Sequence, residues 1–592
     1  MLSSLGSMDP HVVGTANATF CATLMDEFVR LGVTDVVVCP GSRSTPLALA
    51  AAAAPGLRIH VHHDERSGAF LALGLALAAG RPTVVVTTSG TAAVELHPAI
   101  VEAHHAHVPL IALTADRPPE LQDVGAPQTI DQTQLYRNVL RWFAQPGPPD
   151  GSDRGSWRSL AARAHEEAMG SPPGPVQLNL AFREPLAGTV GKLPEARHVG
   201  EQAWRRHLAG HRADQPDATM VEALASGCAG KQGVIVAGAG IDDHDGVELL
   251  AQTMAWPVLA DGRSGCRNLG DHTIAHFDPI LRHQPFVETT RPQVVLRLGA
   301  LPASKVLADW LGHLDAWQVG IDAHGSVYDP HHRLASVVHA EPGALARAIA
   351  SAVPPGSAYD STHSNARWLR RWVNADAVAA ESIRATLASH AEPTEPQIAR
   401  DVLAAVPRGG VLVASSSMPV RDLEWFGVPR PDVTMFANRG ANGIDGVVST
   451  AVGVALATAQ PTVLLIGDVA FLHDSNGLLG AAHRDGLSLT VVVVDNDGGG
   501  IFEFLPQARH VQRVTFEQLF GTPHGVDIGA LARVHRATVH EVVEASDVAE
   551  VVGTATKAGG LHVVHVRTDR QANVRVHAEV NDNVAQALFR AG

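Results

Sequence analysis

The sequence predicts an α/β protein built from three doubly wound parallel-sheet domains. Short runs of Val, Leu and Ile alternate with Ala/Leu-rich stretches of helical length, as in buried parallel strands joined by crossover helices. Polar and glycine-rich segments follow those runs directly, at the strand ends where doubly wound sheets hold ligands. The 592 residues exceed what one core can fill, and two Pro/Gly-rich breaks divide them.

The first domain is expected over residues 9–186. Thr19–Leu31 is amphipathic and precedes the Val strand Asp35–Cys39, which ends in Pro40-Gly41-Ser42-Arg43-Ser44-Thr45-Pro46. Leu57–Val61 leads to Asp64-Glu65-Arg66 and a helix to Ala79; Thr83–Thr88 leads to Ser89-Gly90-Thr91; Pro109–Thr114 leads to Ala115-Asp116-Arg117; Val176–Leu180 closes the set. The central domain, 187–355, begins at the break Ala187–Pro194 and carries strands at Gly233–Ala237, Pro257–Ala260 and Gln293–Leu298. Gly238-Ala239-Gly240 is a partial glycine fingerprint with no third glycine in register, so it reads as a turn rather than a dinucleotide site. Ala352–Ala366, with Pro354-Pro355-Gly356, reads as a linker, and 356–389 as a linker or helical connection.

The last domain spans 390–592 and holds the most informative stretch. Thr462–Ile466 ends in Gly467-Asp468-Val469, and Leu489–Val494 ends in Asp495-Asn496-Asp497-Gly498-Gly499-Gly500. Ser475–His483 between them is expected to be the crossover helix. A strand–helix–strand unit brings both strand ends to one sheet edge, so Asp468 and Asn496 should face one crevice. A carboxylate, an amide oxygen and a glycine-loop carbonyl are hard ligands suited to Mg²⁺, whose remaining positions phosphate oxygens and water can fill. The stretch therefore reads as a Mg²⁺–diphosphate anchor. Asp497 reads as a loop carboxylate outside the metal.

A net charge of −15 and the absence of any Lys/Arg run argue against a nucleic-acid surface. Local arginines can still hold anionic substrates. The four scattered cysteines include no C-x-x-C, so neither a disulfide framework nor a zinc site is expected. Paired histidines such as His62-His63 and His104-His105 lack metal-ligand spacing. The N-terminus shows no signal-peptide pattern, and the longest apolar run, Gly68–Gly80, is too short to span a bilayer, so a cytoplasmic protein is expected. Residues 1–7 read as an extension before Met8.

Asp468 and Asn496, each after a parallel strand, resemble the cofactor motif of the thiamine-diphosphate-dependent decarboxylase and synthase superfamily, although Val469 replaces the usual second Gly. Cys39-Pro40-Gly41-Ser42-Arg43-Ser44-Thr45-Pro46, Asp64-Glu65-Arg66, Thr87-Thr88-Ser89-Gly90-Thr91, Ala115-Asp116-Arg117-Pro118-Pro119, Asn438-Arg439-Gly440-Ala441-Asn442-Gly443-Ile444-Asp445-Gly446 and Gly498-Gly499-Gly500-Ile501-Phe502 are similar to its menaquinone-pathway branch. The likeness runs from about residue 17 to the C-terminus and is loosest in the middle.

This resemblance implies a transferase that uses thiamine diphosphate with Mg²⁺, or Mn²⁺, to decarboxylate 2-oxoglutarate and add the remaining succinyl unit to isochorismate. It implies that Glu65 is the catalytic carboxyl beside the aminopyrimidine ring, where burial must tune its pKa. It places Asp468, Asn496 and the Gly498 carbonyl on the metal. Ser417, Met418 and Ile444 fall on the cofactor, with Met418 against the aminopyrimidine and Ile444 as the wedge between the two rings. Ser89, Gly90, Gly467, Val469, Gly499, Ile501 and Phe502 are further implied cofactor contacts. Arg43, Arg117, Arg421 and Arg439 are the implied guanidinium forks for two dianionic substrates, with Ser42, Gln128 and Lys305 as further contacts. Val306 stands where the family has the second member of a basic pair, which puts the Lys305 contact in question. The family also implies a dimer as the active unit, and a tetramer by analogy. Two other readings stay open: a thiamine-dependent lyase resembling acetolactate synthase, and a non-catalytic nucleotide-binding regulator.

Overall fold

A computed structural model describes residues 9–151, 154–196, 203–204, 216–353 and 357–591. The expected N-terminal extension and Pro354-Pro355-Gly356 lie outside the described residues.

Among the described residues, eighteen parallel strands form three six-stranded sheets. The first contains β1 (Asp35–Val38), β2 (Arg58–Val61), β3 (Thr83–Thr87), β4 (Leu110–Asp116), β5 (Trp142–Ala144) and β6 (Pro175–Ala181). Its order is β2-β1-β3-β4-β6-β5. The second contains β7 (Gly233–Ala237), β8 (Val258–Ala260), β9 (Thr273–Ile274), β10 (Val294–Leu298), β11 (Trp317–Asp322) and β12 (Ser336–His339), in the order β12-β11-β10-β7-β8-β9. The third contains β13 (Val411–Ala414), β14 (Thr434–Phe436), β15 (Thr462–Gly467), β16 (Ser488–Asp495), β17 (Thr538–Val542) and β18 (Gly560–Arg567), in the order β14-β13-β15-β16-β18-β17. The first and third sheets thus share one topology. The second has the strand order of dinucleotide-binding folds. There Gly238-Ala239-Gly240 forms a turn joined to its neighbour, with Gly238 N–H donating to Leu298 and Ala239 accepting from Ala300 N–H.

Helices cover both faces because the central strands are buried throughout; β3, β4 and β10 expose no residue. No helix among the described residues is long and apolar enough to cross a membrane. Two expectations need correction. Ser475–His483 is not a crossover helix: a short helix, Asp468–His473, is followed by two 3₁₀ turns, Ser475–Leu478 and Ala481–His483. Gly480, at φ +72°, separates the two turns, and just before them the buried Asp474 carboxylate accepts Ser449 N–H (2.7 Å) and the hydroxyls of Ser449 (3.0 Å) and Ser67 (2.9 Å). The stretch 352–366, read as a linker, is already helical from Ser357; the helix Ser357–Leu387 occupies the expected linker or helical connection 356–389, and its Trp368 and Trp372 are buried beside Phe277 and Trp310.

The N- and C-terminal domains meet through the helices Glu65–Ala79 and Val447–Thr458. Their backbones nearly touch: a Cβ on Gly74 would lie 2.1 Å from the Thr450 carbonyl oxygen. Phe70, Leu71, Val448, Ala451 and Val452 fill the rest of the contact as part of one buried apolar cluster. This docking fixes the start of the Glu65 helix against residues 473–476. Arg66 Nη2 donates to the His473 carbonyl at 2.8 Å, and Asn476 Nδ2 donates to Asp64 Oδ2 at 3.0 Å.

Candidate active site

The register of the third sheet builds the anchor. β15 pairs with β16 so that Gly467 stands opposite Val494. The next residues, Asp468 and the Asp495–Gly500 loop, therefore emerge side by side. Asp468 is buried; its Oδ1 accepts Val469 N–H at 2.7 Å and its Oδ2 accepts Gly498 N–H at 2.8 Å. Burial raises its pKa even against those two bonds. Asn496 donates from Nδ2 to Glu395 Oε1 at 2.9 Å, which leaves its buried Oδ1 without a partner. Gly498 adopts φ +136°, and a Cβ there would lie 1.9 Å from the Gly521 carbonyl oxygen, so only glycine fits. Its own carbonyl accepts Gly500 N–H at 2.9 Å and keeps a second lone pair.

These groups line a cavity of about 210 Å³. Ser417, Met418, Ile444 and Val469 face it, as do Gly467, Gly499, Ile501 and Phe502. Thus every C-terminal-domain residue that the sequence assigned to the cofactor converges on one space. Ser417 holds φ +75°, a strained setting for a non-glycine residue, and starts the helix Met418–Phe426. The fit to a Mg²⁺–diphosphate group rests on three features. One buried amide oxygen lacks a partner, one buried carboxylate has a raised pKa, and a glycine cradle would be closed by any Cβ.

Sequence reasoning missed several neighbours. His524 Nε2 lies 3.2 Å from Asp468 Oδ2 and 3.9 Å from Asp495 Oδ1, so Asp468, Asp495 and His524 form a second group able to gather round a cation. Asp468 belongs to both sets; the oxygen-only set matches Mg²⁺ better. Asp497 is half-exposed and accepts the N–H groups of His524 (2.9 Å) and Gly525 (2.8 Å). Glu395, more than 100 residues from Asn496 in sequence, is pushed up to about 7 by burial, then by the Asp422 charge. Asp422 bonds His577 Nε2 at 2.7 Å, and both are buried. Glu395, His524 and His577 lie outside the glycine-rich and strand-end motifs, and only the folded domain brings them to the anchor.

In the N-terminal domain, Asp64 rather than Glu65 caps the helix, accepting Ser67 N–H at 3.1 Å. Glu65 is left uncommitted and half-buried, and its pKa is raised, first by burial and then by the charges of Asp64 and Glu95. It is not among the residues that line the cavity. Ser89, Arg117 and Gln128 form one cluster: Ser89 Oγ donates to the Gln128 carbonyl (3.0 Å), Gln128 Nε2 to the Ser89 carbonyl (2.9 Å), and Arg117 Nη1 to Ser89 Oγ. Gly90 N–H donates to Gln132 Oε1 at 2.9 Å. Arg43 is buried, bonds the Phe182 carbonyl at 3.0 Å, and pairs at 3.2 Å with the largely exposed Glu184. The exposed Ser42 offers its carbonyl to Thr45.

Arg421 and Arg439 are partly buried, and Arg421 is on the helix that starts at the cavity wall. Arg421 donates to the Ser417 carbonyl, and Arg439 forms no hydrogen bond or ion pair among the described residues. The Arg439 loop is held from the other domain by Glu102, whose carboxylate accepts Gly440 N–H at 2.7 Å and Ala441 N–H at 2.6 Å. Lys305 does not join them. Its side chain is 83% exposed and pairs with Asp309 one turn along its own helix, because position 305 starts that helix on its outer face.

Comparisons with known proteins agree with this geometry. The family models "Thiamine pyrophosphate enzyme, N-terminal TPP binding domain", "Middle domain of thiamine pyrophosphate" and "Thiamine pyrophosphate enzyme, C-terminal TPP binding domain" match residues 19–135, 201–413 and 424–566. A benzoylformate decarboxylase structure from Polynucleobacter necessarius superposes with a TM-score of 0.70 over 93% of this chain and 99% of its own, at 17% identity, which speaks for the fold. Fold and site together define a thiamine-diphosphate-dependent enzyme. The chain is 42% identical to the 2-succinyl-5-enolpyruvyl-6-hydroxy-3-cyclohexene-1-carboxylate synthase of Chloroflexus aurantiacus, over 96% of this chain and 97% of the relative. It is also 42% identical to that of Myxococcus xanthus, over 97% and 98%. The chain belongs to the 2-succinyl-5-enolpyruvyl-6-hydroxy-3-cyclohexene-1-carboxylate synthase family.

Proposed function

We propose that this enzyme decarboxylates 2-oxoglutarate and joins the succinyl unit to isochorismate by a Stetter-like 1,4-addition. The product is 2-succinyl-5-enolpyruvyl-6-hydroxy-3-cyclohexene-1-carboxylate, within menaquinone biosynthesis. The observation that carries this reading is a diphosphate-sized cavity with Ser417 in its wall, whose carbonyl Arg421 holds, together with Arg439, a partly buried guanidinium with no hydrogen-bond or ion-pair partner among the described residues. Such a group calls for an anionic ligand.

When bound, thiamine diphosphate supplies the nucleophilic carbon and the electron sink for loss of CO₂. Asp468, Asn496 and the Gly498 carbonyl hold Mg²⁺, or Mn²⁺. Ser417 and the backbone amides around it take the diphosphate, while Met418 and Ile444 offer apolar surface to the rings. Glu65 holds a proton at the aminopyrimidine ring nitrogen; its raised pKa keeps the carboxyl protonated to higher pH than an exposed glutamate. Arg421 and Arg439 orient one dianion. Arg43, Arg117, Ser42 and Gln128 orient the other, with the Glu184 carboxylate released from Arg43 as substrate arrives. The cavity is lined by residues 395–522 and not by Glu65, which supports a reading in which Glu65 comes to it from a second copy. The active unit is a homodimer, and two dimers form a tetramer. The enzyme works in the cytoplasm on small molecules, with no nucleic-acid partner.

Incubation with 2-oxoglutarate, isochorismate, thiamine diphosphate and Mg²⁺ should give the adduct by mass spectrometry with one CO₂ per product. Preferential decarboxylation of pyruvate, with acetolactate as product, would replace this reading.

Glu395 has a positioning role. Its bond to Nδ2 turns the Asn496 amide so that Oδ1 faces the cation. Glu395→Ala should raise the Mg²⁺ concentration for half-maximal thiamine-diphosphate binding by about 10- to 100-fold, as for other outer-sphere partners. Glu395→Gln, which keeps an oxygen acceptor, should lose much less. Equal behaviour of the two variants in a Mg²⁺ titration would remove that role.

A further inference from the structure

Arg263 belongs to the central domain and to none of the strand-end motifs of the outer domains. Its loop follows β8 and is pressed onto the C-terminal domain. A Cβ on Gly262 would lie 2.7 Å from the Met435 sulfur on β14, the strand that leads to Asn438-Arg439. Just beyond, Arg267 Nη2 donates to the carbonyls of Glu424 (2.8 Å) and Gly427 (2.9 Å). Glu424, three residues from Arg421 on one helix, accepts Ala303 N–H at 2.8 Å. These contacts bring Arg263 to the place where Arg421 and Arg439 already stand.

The side chain of Arg263 is only 10% exposed, and its one protein partner among the described residues is the buried Asp261, at 2.6 Å from Nη2. Its backbone N–H also donates to Asp261 Oδ1, and the other guanidinium N–H groups have no hydrogen-bond partner among the described residues. The guanidiniums of Arg263, Arg267, Arg421 and Arg439 thus gather round two buried acids, Asp261 and Glu424, with Asp422 also facing Arg421 and Asp376 facing Arg267. Glu424 has one carboxylate oxygen with no hydrogen-bond partner, and it is pushed up to about 8, by burial first and then by the Asp261 charge. Near neutral pH it cancels little of the positive charge. Arg439 is brought down to about 10 by burial, then by the Arg263 and Arg421 charges. Crowded cations of this kind, partly shielded from water, favour a bound anion.

The geometry points to Arg263 as the third arm of a carboxylate subsite with Arg421 and Arg439, a specificity-determining residue that reads the distal carboxylate of the 2-oxoacid. This rests on the 2-oxoglutarate reading above. Arg421 lies one helical turn, about 5 Å, from Ser417 and Met418 on the cavity wall. A ligand whose reacting carbon sits in the cavity would meet the cluster with a group a few bonds further along. 2-Oxoglutarate carries a carboxylate there, and 2-oxovalerate, of the same chain length, carries a methyl group.

The test is steady-state kinetics of the holoenzyme with both 2-oxoacids. Arg263→Met should raise KM for 2-oxoglutarate by about 10- to 100-fold, the worth of one charged hydrogen bond. The kcat should stay within about threefold, and the parameters for 2-oxovalerate should be unchanged. Arg263→Lys should recover part of the loss. Equal effects on both substrates, or a lowered melting temperature with no KM split, would reduce Arg263 to a strut for Asp261 and overturn the assignment. Glutarate supplies a readout independent of turnover: it should raise the melting temperature of the wild type but not of Arg263→Met. A glutarate shift in an enzyme that leaves 2-oxoglutarate untouched would fail the proposed reaction and keep the subsite. Turnover of 2-oxoglutarate with an unaltered KM in Arg263→Met would do the reverse.

Discussion

Glu65→Gln is expected to bind thiamine diphosphate as the wild type does and to lose turnover by about 10²- to 10⁴-fold, the range set by one positioned acid–base group. Binding is retained because the residues that hold the diphosphate end, Asp468 to Phe502, belong to another domain. Folding is retained because Asp64, not Glu65, caps the helix. The amide copies the shape of the carboxyl but cannot hold or release its proton. The raised pKa of Glu65 adds a pH signature. Its protonated form persists to higher pH than that of a free glutamate, so the limb of the pH–rate profile that it controls is displaced towards higher pH. That limb should vanish in Glu65→Gln. Calorimetry with thiamine diphosphate and a single-turnover assay read the two halves separately. Turnover like that of the wild type would remove Glu65 from the chemistry.

Asp468→Ala should abolish metal-dependent cofactor binding, weakening it by about 100-fold or more, since outer-sphere changes alone cost up to about that much. The variant also leaves Val469 and Gly498 N–H without an acceptor, at about 1–3 kcal/mol each if they stay buried. Asp468→Asn separates the two effects. Its amide oxygen can still accept one of those N–H groups, but the charge that attracts the cation is gone. Both variants should lose Mg²⁺-dependent binding in calorimetry, and only the alanine variant should melt much earlier. Chelation of the wild type should copy the binding loss, and Mg²⁺ or Mn²⁺ should restore it. Unchanged affinity in Asp468→Asn would shift the anchor to Asp495 and His524, which lie within reach of the same point.

The legible parts of the fold were those with a continuous apolar run and a chemical full stop. β15 and β16 are buried Val/Leu runs that end in Gly-Asp and Asp-Asn. The strands that went unread are short, lie at sheet edges or carry buried polar residues. β12 and β17 have mixed burial, and β11 contains the buried Gln318, which accepts from Arg297. Edge strands with one wet face lose the run that marks a parallel strand. The supposed crossover helix failed for a different reason. Its composition suits a helix, but Gly480 turns at φ +72° inside the span, and Asp474 just before it is held by Ser449 of its own domain and Ser67 of the other.

By itself, the sequence determined the class of fold, the meeting of Asp468 and Asn496 at one sheet edge and the arginine-bearing loops, because each is a strand followed within a few residues by its polar group. Local order in the chain is enough to set such motifs. Only the tertiary structure decided that Glu395 turns Asn496, that Glu102 holds the Arg439 loop, that Lys305 faces solvent, and that Arg263 stands with Arg421 and Arg439. Those relations join residues about 100 to 340 positions apart, and they depend on where helices dock and which buried charges are left without partners. Strand ends are written in the chain, whereas charge balance in a buried site belongs to the packed molecule.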